Sequence, residues 1–246
     1  MEKKEYETLY NIEDEYWWYV GLRDLVFSSI AKFKRNIGKS LRILDAGCGT
    51  GAVLERLKEY GEAYGIDLSE QAIRFCEVRG LHNVIKASIT DMPFADKFFD
   101  IVISLDVLYH RQVGDDVNAL KESYRMLKKS GILILNLPAY DFLRSAHDIA
   151  IHTKHRYLRS EVRKKLKKTG FHIVKLTYRN SFLFPIFLII RLLEKAKKRR
   201  TVSSDLGLLP DFLNRFLAKI LFFENRLLNK VNFPFGLSVF CVATKI

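Results

Sequence analysis

The stretch Ile43-Leu44-Asp45-Ala46-Gly47-Cys48-Gly49-Thr50-Gly51 constrains the fold of this chain more than any other. Its apolar lead-in, Leu41, Ile43 and Leu44, has the continuous hydrophobicity of a parallel strand buried on both faces. The glycines then impose a tight turn, and Ala52-Val53-Leu54-Glu55-Arg56-Leu57 continues as a helix. Glycine is required where the backbone must bend sharply and approach a ligand more closely than a Cβ allows. The helix start points its free N–H groups at whatever binds there.

Two ligand classes use such a turn. Gly47-x-Gly49-x-x-Ala52 satisfies a permissive dinucleotide fingerprint, and Gly47-x-Gly49-x-Gly51 fits a tighter nucleoside loop. Asp45 separates them, because a carboxylate at the strand tip repels a pyrophosphate and attracts a ligand with a positive end. With that acid the segment resembles the first motif of the class I S-adenosylmethionine-dependent methyltransferases, an acidic residue followed by Gly-x-Gly-x-Gly. The resemblance covers residues 41–178 and the last strand. It implies an α/β fold, a Rossmann-like doubly wound seven-stranded sheet with an antiparallel last strand. It also implies S-adenosyl-L-methionine as cofactor, held in part by Asp45, Gly47, Cys48, Gly49 and Gly51.

Residues 62–67 read as the second strand, ending in Asp67, with Leu68-Ser69-Glu70 opening a helix and Ser69 as its N-cap. Asp67 is a turn residue or an acceptor for ribose hydroxyls. Its place one strand after the glycine turn, with Leu68 beside it, favours the ribose. Residues 83–87 form a third strand, and Ser88 to Phe94 resembles the family's adenine pocket. Here Ser88 stands where the family carries an aspartate, and Ile89 would offer a backbone N–H and an apolar face. Asp91 either replaces the missing carboxylate or only shapes a turn.

The fourth strand, 98–104, runs into Leu105-Asp106-Val107-Leu108-Tyr109-His110, which in the family lines the methyl-transfer cleft. Asp106 is expected on the cofactor side and Tyr109 on the acceptor side. His110 is a general base or a packing group. Asp115-Asp116 open a helix with Val117, Leu120, Tyr124 and Leu127 on one face, continuing through Lys128 and Lys129 to Gly131. Residues 132–135 are a fifth strand. The loop beyond it carries His147, Asp148, His152, His155 and Arg156. Their spacing matches no familiar metal-ligand pattern, and no metal is expected. They form a solvated loop or an acceptor-side wall in which His147, His155, Asp148 and Arg156 orient the nucleophile, and the wall is preferred.

Before the core, Tyr6, Tyr10, Tyr16, Trp17, Trp18 and Tyr19 accompany Glu13, Asp14 and Glu15. This segment is a helix packed by its aromatic face or a lid that brings Trp17 and Trp18 to the substrate. After it come a sixth strand (171–176) and a seventh (235–243), separated by far more residues than a hairpin loop uses. The expected division is residues 1–40 as a helical lid, 41–180 as the core, 181–234 as a basic amphipathic insert and 235–246 as the last strand. In the insert, Leu213, Phe216, Leu217, Ile220, Phe223 and Leu227 recur at helical spacing, with Lys195, Lys197, Lys198, Arg199 and Arg200 before them. Such a pair of helices caps the domain, joins two copies in a homodimer or lies in an anionic membrane interface.

The net charge of +13 calls for an anionic partner, whether nucleic acid, an acidic membrane surface or a phosphorylated substrate. Cys48, Cys76 and Cys241 lack metal-ligand spacing and suit a reducing cytoplasm. The opening Met1-Glu2-Lys3-Lys4-Glu5 does not resemble a secretion signal, so a cytoplasmic protein with membrane association is expected. The expected activity is methylation of a small or amphiphilic acceptor, lipid-like or sugar-bearing, at a hydroxyl. The rivals are an RNA methyltransferase and a membrane-associated module that binds the cofactor without turnover.

Overall fold

The structure is a computed structural model and describes residues 3–37, 40–196 and 209–246. In chain order its elements are α1 (Lys3–Ile12), α2 (Trp17–Ile37), β1 (Leu41–Ala46), α3 (Ala52–Leu57), β2 (Gly61–Asp67), α4 (Glu70–Val78), β3 (Val84–Lys86) and β4 (Phe99–Leu105). Then follow α5 (Asp116–Met126), β5 (Leu127–Pro138), α6 (Ala146–Ala150), α7 (Arg159–Lys168), β6 (Phe171–Arg179), α8 (Phe184–Ala196), α9 (Asp211–Leu228) and β7 (Ser238–Lys245). The strands form one seven-stranded sheet in the order β3-β2-β1-β4-β5-β7-β6. Neighbours from β3 to β5 pair in parallel, and β7 runs antiparallel to both β5 and β6.

The apolar strand runs are explained by burial on two sides. Ile43, Ile101, Ile103, Ile134 and Phe240 pack on Val26, Ile30, Leu54 and Leu57 of α2 and α3. Their strand neighbours Leu44, Val102, Leu133 and Ala243 face Leu120, Val162 and Leu166 of α5 and α7. Successive side chains point to opposite faces, so an inner strand covered on both must be apolar throughout.

Three sequence expectations are corrected. The helix α5 stops at Met126, because Leu127 is extended (ψ 137°) and pairs with Phe99 of β4. Lys128 and Lys129 therefore lie in β5, and Lys128 donates to Asp100 at 2.7 Å. The buried face of α5 is Ala119, Leu120, Ser123 and Met126, because strand pairing overrides the continuing helical period. Nor is α2 simply part of a lid: Leu25, Val26 and Ile30 are core residues. α1 lies against the turn that follows β1, with Leu9 beside Gly49.

The third correction concerns α9. Its packed side is Leu221, Glu224, Asn225 and Leu228, while Phe212, Phe216 and Phe223 are exposed. Gly21 of α2 sets this choice, since a Cβ there would strike Leu221. Asn225 Nδ2 donates to Gly21 O and to Asp24 Oδ2, both at 2.8 Å. Asn214 Oδ1 accepts from Trp17 N at 2.8 Å, capping the start of α2, and Asn214 Nδ2 donates to Glu15 O at 2.9 Å. Further along, the Glu224 carboxylate accepts the backbone N–H of Phe182 at 3.0 Å and of Asn180 at 2.5 Å. One helix therefore anchors both the lid and the end of β6. The basic residues Lys197, Lys198, Arg199 and Arg200 lie outside the described residues. Among the described residues, no helix is long and apolar enough to cross a membrane.

The close approach of α2 and α9 is testable by a double-mutant cycle. Gly21→Ala is expected to cost about 1–3 kcal/mol through overpacking against Leu221. Combined with Leu221→Ala, it should cost less than the sum of the two single changes in urea unfolding.

Candidate active site

The β1–α3 turn is held in backbone conformations that side chains rarely adopt. Gly47, Gly49 and Gly51 have φ of +93°, +54° and +94°. A Cβ on Gly47 would strike Val107, and one on Gly51 would come within 2.7 Å of Leu81 Cδ1. Asp67, at the end of β2, braces this turn: Oδ2 accepts Gly49 N at 3.0 Å and Oδ1 accepts Ser69 N at 2.9 Å. A carboxylate offers about four acceptor sites, so capacity remains for a ligand hydroxyl beside the backbone N–H groups of Gly49, Leu68 and Ser69. Ser69 occupies the N-cap position of α4 without a side-chain capping bond; Asp67 takes its N–H instead. Leu68 is exposed beside it. Cys48 is buried against Cys76, with the sulfurs 3.9 Å apart.

Asp45 is 2% exposed, at the end of β1. Burial, with Asp67 and Glu13 nearby, pushes its carboxyl up to about 7. A cationic ligand would reverse that shift by stabilising the ionised form. The glycine cradle, the free acceptor capacity of Asp67 and the buried Asp45 fit S-adenosylmethionine, which carries two hydroxyls and a positive sulfonium and ammonium end. Ser88 and Ile89 follow β3. Ser88 Oγ lies 2.7 Å from Thr90 Oγ1, and Ile89 is packed into the core. Asp91 is exposed, and its N–H closes a turn on Ser88 O at 3.1 Å.

α1 covers this end. Leu9 lies next to Gly49, and Tyr6 is buried against Asp67 and Ser69, with burial pushing its phenol up to about 12. Glu13 is buried and accepts from Thr50 Oγ1 of the glycine turn and from Arg79 Nη2 at 3.0 Å. Arg23 Nη2 donates to Asp14 O at 2.6 Å.

The second half of the site lies at the ends of β4 and β5. Asp106 has φ +58°, and each of its oxygens is 3.0 Å from Asn136 Nδ2. Burial pushes its pKa up to about 6 against the opposing influence of Asn136, Arg179 and Arg156. Tyr109 and Tyr19 are close enough to Asp106 to be held protonated by it, after burial. Asp148 clasps Arg156 at 2.8 and 2.9 Å, and Arg156 also donates to Ala139 O at 3.3 Å. The two aromatic candidates part company. Trp17 is buried among Leu183, Leu221 and Phe187, a packing residue between lid and insert. Trp18 lies 5.7 Å from the Arg179 guanidinium.

Among the histidines of residues 110–155, the described side chains fall into two places: His110 lies beside His152, with ring centroids 5.8 Å apart, and His155 lies against α7. Nδ1 of His110 accepts Gln112 N at 3.2 Å, and burial drives its pKa down to about 4. The ring is neutral with its lone pair engaged, which is a poor arrangement for a base. His155 pairs through Nε2 with Glu161 of α7 at 3.1 Å and packs on the Tyr157 ring at 4.1 Å. Ligand atoms of His155, Glu161 and Asp116 converge within 4.8 Å, but Lys165 Nζ already lies 2.7 Å from Asp116 and 3.3 Å from Glu161. His147 lies in α6, and its side chain is outside the described ones. Tyr19, Asn136 and Arg179 also lie close to Asp106, and the sequence did not single them out as site residues. A lone asparagine in the apolar run of β5 was the available signal for Asn136. Arg179 lay beyond the strand end expected at 176.

A family described as "Methyltransferase domain" matches residues 44–135. Demethylmenaquinone methyltransferase of Geobacillus stearothermophilus is 36% identical over 111 residues, covering 41% of this chain and 47% of that protein. Ubiquinone biosynthesis O-methyltransferase of Pelagibacter ubique is 28% identical over 156 residues, covering 55% of this chain and 64% of that protein. The match to the first spans about half of that relative's length. A solved SAM-dependent methyltransferase of Thermotoga maritima, titled a possible histamine N-methyltransferase, superposes with a TM-score of 0.56 at 20% identity, covering 99% of this chain and 96% of that one. With the strand order, the glycine turn and the strand-end carboxylates, these matches mark residues 44–135 as a methyltransferase domain on the fold of the class I S-adenosylmethionine-dependent enzymes.

Proposed function

We propose that the protein transfers a methyl group from S-adenosylmethionine to a hydroxyl of a small or amphiphilic acceptor. The observation that carries this reading is Asp45, a buried carboxylate without a basic neighbour among its electrostatic influences, set beside a glycine cradle. Asp45, Gly47, Cys48, Gly49 and Gly51 line the turn, Asp67 and Leu68 take the ribose, Ser88 and Ile89 flank the base, and Asp106 bounds the reactive end. The cofactor supplies a methyl group already activated on a sulfonium. The chain's own part is to position the acceptor and exclude water, tasks suited to α1 and the Glu13–Thr50–Arg79 contacts that hold the lid on the glycine turn. Asp106 is the better candidate than His110 to take up a hydroxyl proton, because its carboxylate keeps free lone pairs and titrates near neutrality. Tyr109, Arg156 and Asp148 form the acceptor wall, with His147 on the adjoining helix.

The amphiphilic acceptor is supported by two relatives named for demethylmenaquinone and ubiquinone. It is also supported by the exposed apolar surface of the insert, where Ile189, Leu192, Phe212 and Phe216 are 58%, 56%, 75% and 59% exposed. Arg215 and Lys219 stand beside the last two, as in an interfacial helix. The protein should sediment with phosphatidylglycerol vesicles more than with phosphatidylcholine vesicles, and Phe212→Ser with Phe216→Ser should reduce both. Binding to RNA instead, falling steeply with salt, would favour the nucleic-acid reading.

The cofactor assignment has a pH signature. Asp45 titrates in the folded protein near 7, above its unfolded value of 3.8, so the ligand-free protein loses stability as pH rises between them. Asp45→Asn removes that loss. Its melting temperature should exceed the wild type's above pH 7, and the gap should close toward pH 4. The same change should weaken binding of S-adenosylmethionine by roughly ten-fold or more in calorimetric titration. Wild-type affinity should fall as pH drops through about 7, as Asp45 takes up its proton.

A further inference from the structure

Arg179 ends β6 and is 1% exposed. It pairs with Ser238 of β7, which pairs with Pro138 at the end of β5, so it stands at the end of the sheet that carries Asp106. Its Nε, Nη1 and Nη2 all lack hydrogen-bond partners. Burial lowers its pKa only to about 10, so it remains a cation at neutral pH. A buried, unpaired guanidinium is among the most costly groups a fold can hold.

The neighbouring carboxylates do not satisfy it. Glu224 accepts the backbone N–H groups of Asn180 and Phe182, Asp106 accepts from Asn136 Nδ2, and neither carboxylate makes a hydrogen bond to Arg179. Other arginines near this end have close partners: Arg156 is clasped by Asp148, and Arg23 donates to backbone carbonyls. Trp18 lies within cation–π distance of Arg179, an interaction that leaves its N–H donors unused. Beside it, Asn180 has both side-chain polar atoms buried and unpartnered, and so does Oδ1 of Asn136.

We propose that Arg179 anchors an anionic group, a carboxylate or a phosphate, on the acceptor that is methylated next to Asp106. A planar fork of N–H donors matches both anions in a bidentate grip. Ligand binding also explains why the fold retains an unpaired buried charge: the anion completes a site that is incomplete without it. The inference rests on the methyltransferase reading and narrows it, because the acceptor becomes an anionic amphiphile rather than a neutral lipid.

The test begins with calorimetric titration of S-adenosylhomocysteine, the demethylated cofactor. Its failure to bind would overturn the methyltransferase reading and this inference with it. The saturated protein is then titrated at constant ionic strength with benzoate, phenyl phosphate and neutral benzyl alcohol, followed by calorimetry and by the NMR signal of the Arg179 Nε–H. One or both anions should bind and move that signal, the stronger one identifying the headgroup as carboxylate or phosphate, and benzyl alcohol should do neither. Arg179→Met should weaken anion binding roughly a hundred-fold, leave S-adenosylhomocysteine affinity unchanged and raise the ligand-free melting temperature. A purely structural arginine would instead lower that temperature on removal. Equal anion binding by the variant, parallel loss of S-adenosylhomocysteine affinity or an unmoved Nε–H signal would overturn the proposal. The last measurement decides it on the wild type alone if the variant does not fold.

Discussion

A carboxylate buried at the end of a strand covered on both faces loses its hydration, and a cation, a proton or hydrogen-bond donors must compensate. Asp45 is in that position, and the charged groups that act on it, Asp67 and Glu13, are acids that make the problem worse. The glycine turn, the lid and the second strand end all converge on it. Gly47 lets the chain pass Val107, Asp67 braces the turn from the next strand, and Glu13 fastens the lid through Thr50. Much of the ligand end is therefore an arrangement of acids around one turn, and it suits a ligand that brings its own positive charge.

A second constraint links the parts of the chain that look peripheral in the sequence. α9 caps the start of α2 with Asn214, packs Leu221 into the space left by Gly21 and ties the residues after β6 with Glu224. The lid and the far edge of the sheet thus share one mount. Its outward side keeps Phe212, Phe216 and Phe223 in solvent, so the apolar surface of this helix is divided between the domain and whatever lies outside it.

The acceptor end shows how differently backbone and side-chain function are written in a sequence. Glycines and strand-end acids are legible because their roles follow from local backbone geometry and from the direction of parallel strands. The histidines are conspicuous by type alone, and their neighbours give them other work: Gln112 occupies His110, and Glu161 draws His155 aside. Trp17 and Trp18 are adjacent in the chain, yet one is buried in the lid–insert packing and the other faces Arg179. Arg179 itself is ordinary as a letter and unusual only through its burial without partners.

By itself the sequence determined the parallel core, the glycine turn, the two acidic strand ends and the long interruption before the last strand. Each follows from short-range periodicity or from a conformation that only glycine tolerates. Tertiary structure decided where α5 yields to β5, which side of α9 is buried and which charged groups are left unpaired. Those outcomes depend on partners far apart in the chain: Phe99 with Leu127, Gly21 with Leu221, and Arg179 with Glu224 and Asp106, neither of which hydrogen-bonds it. Pairing and desolvation at that range are set by how the layers pack, which no local pattern encodes.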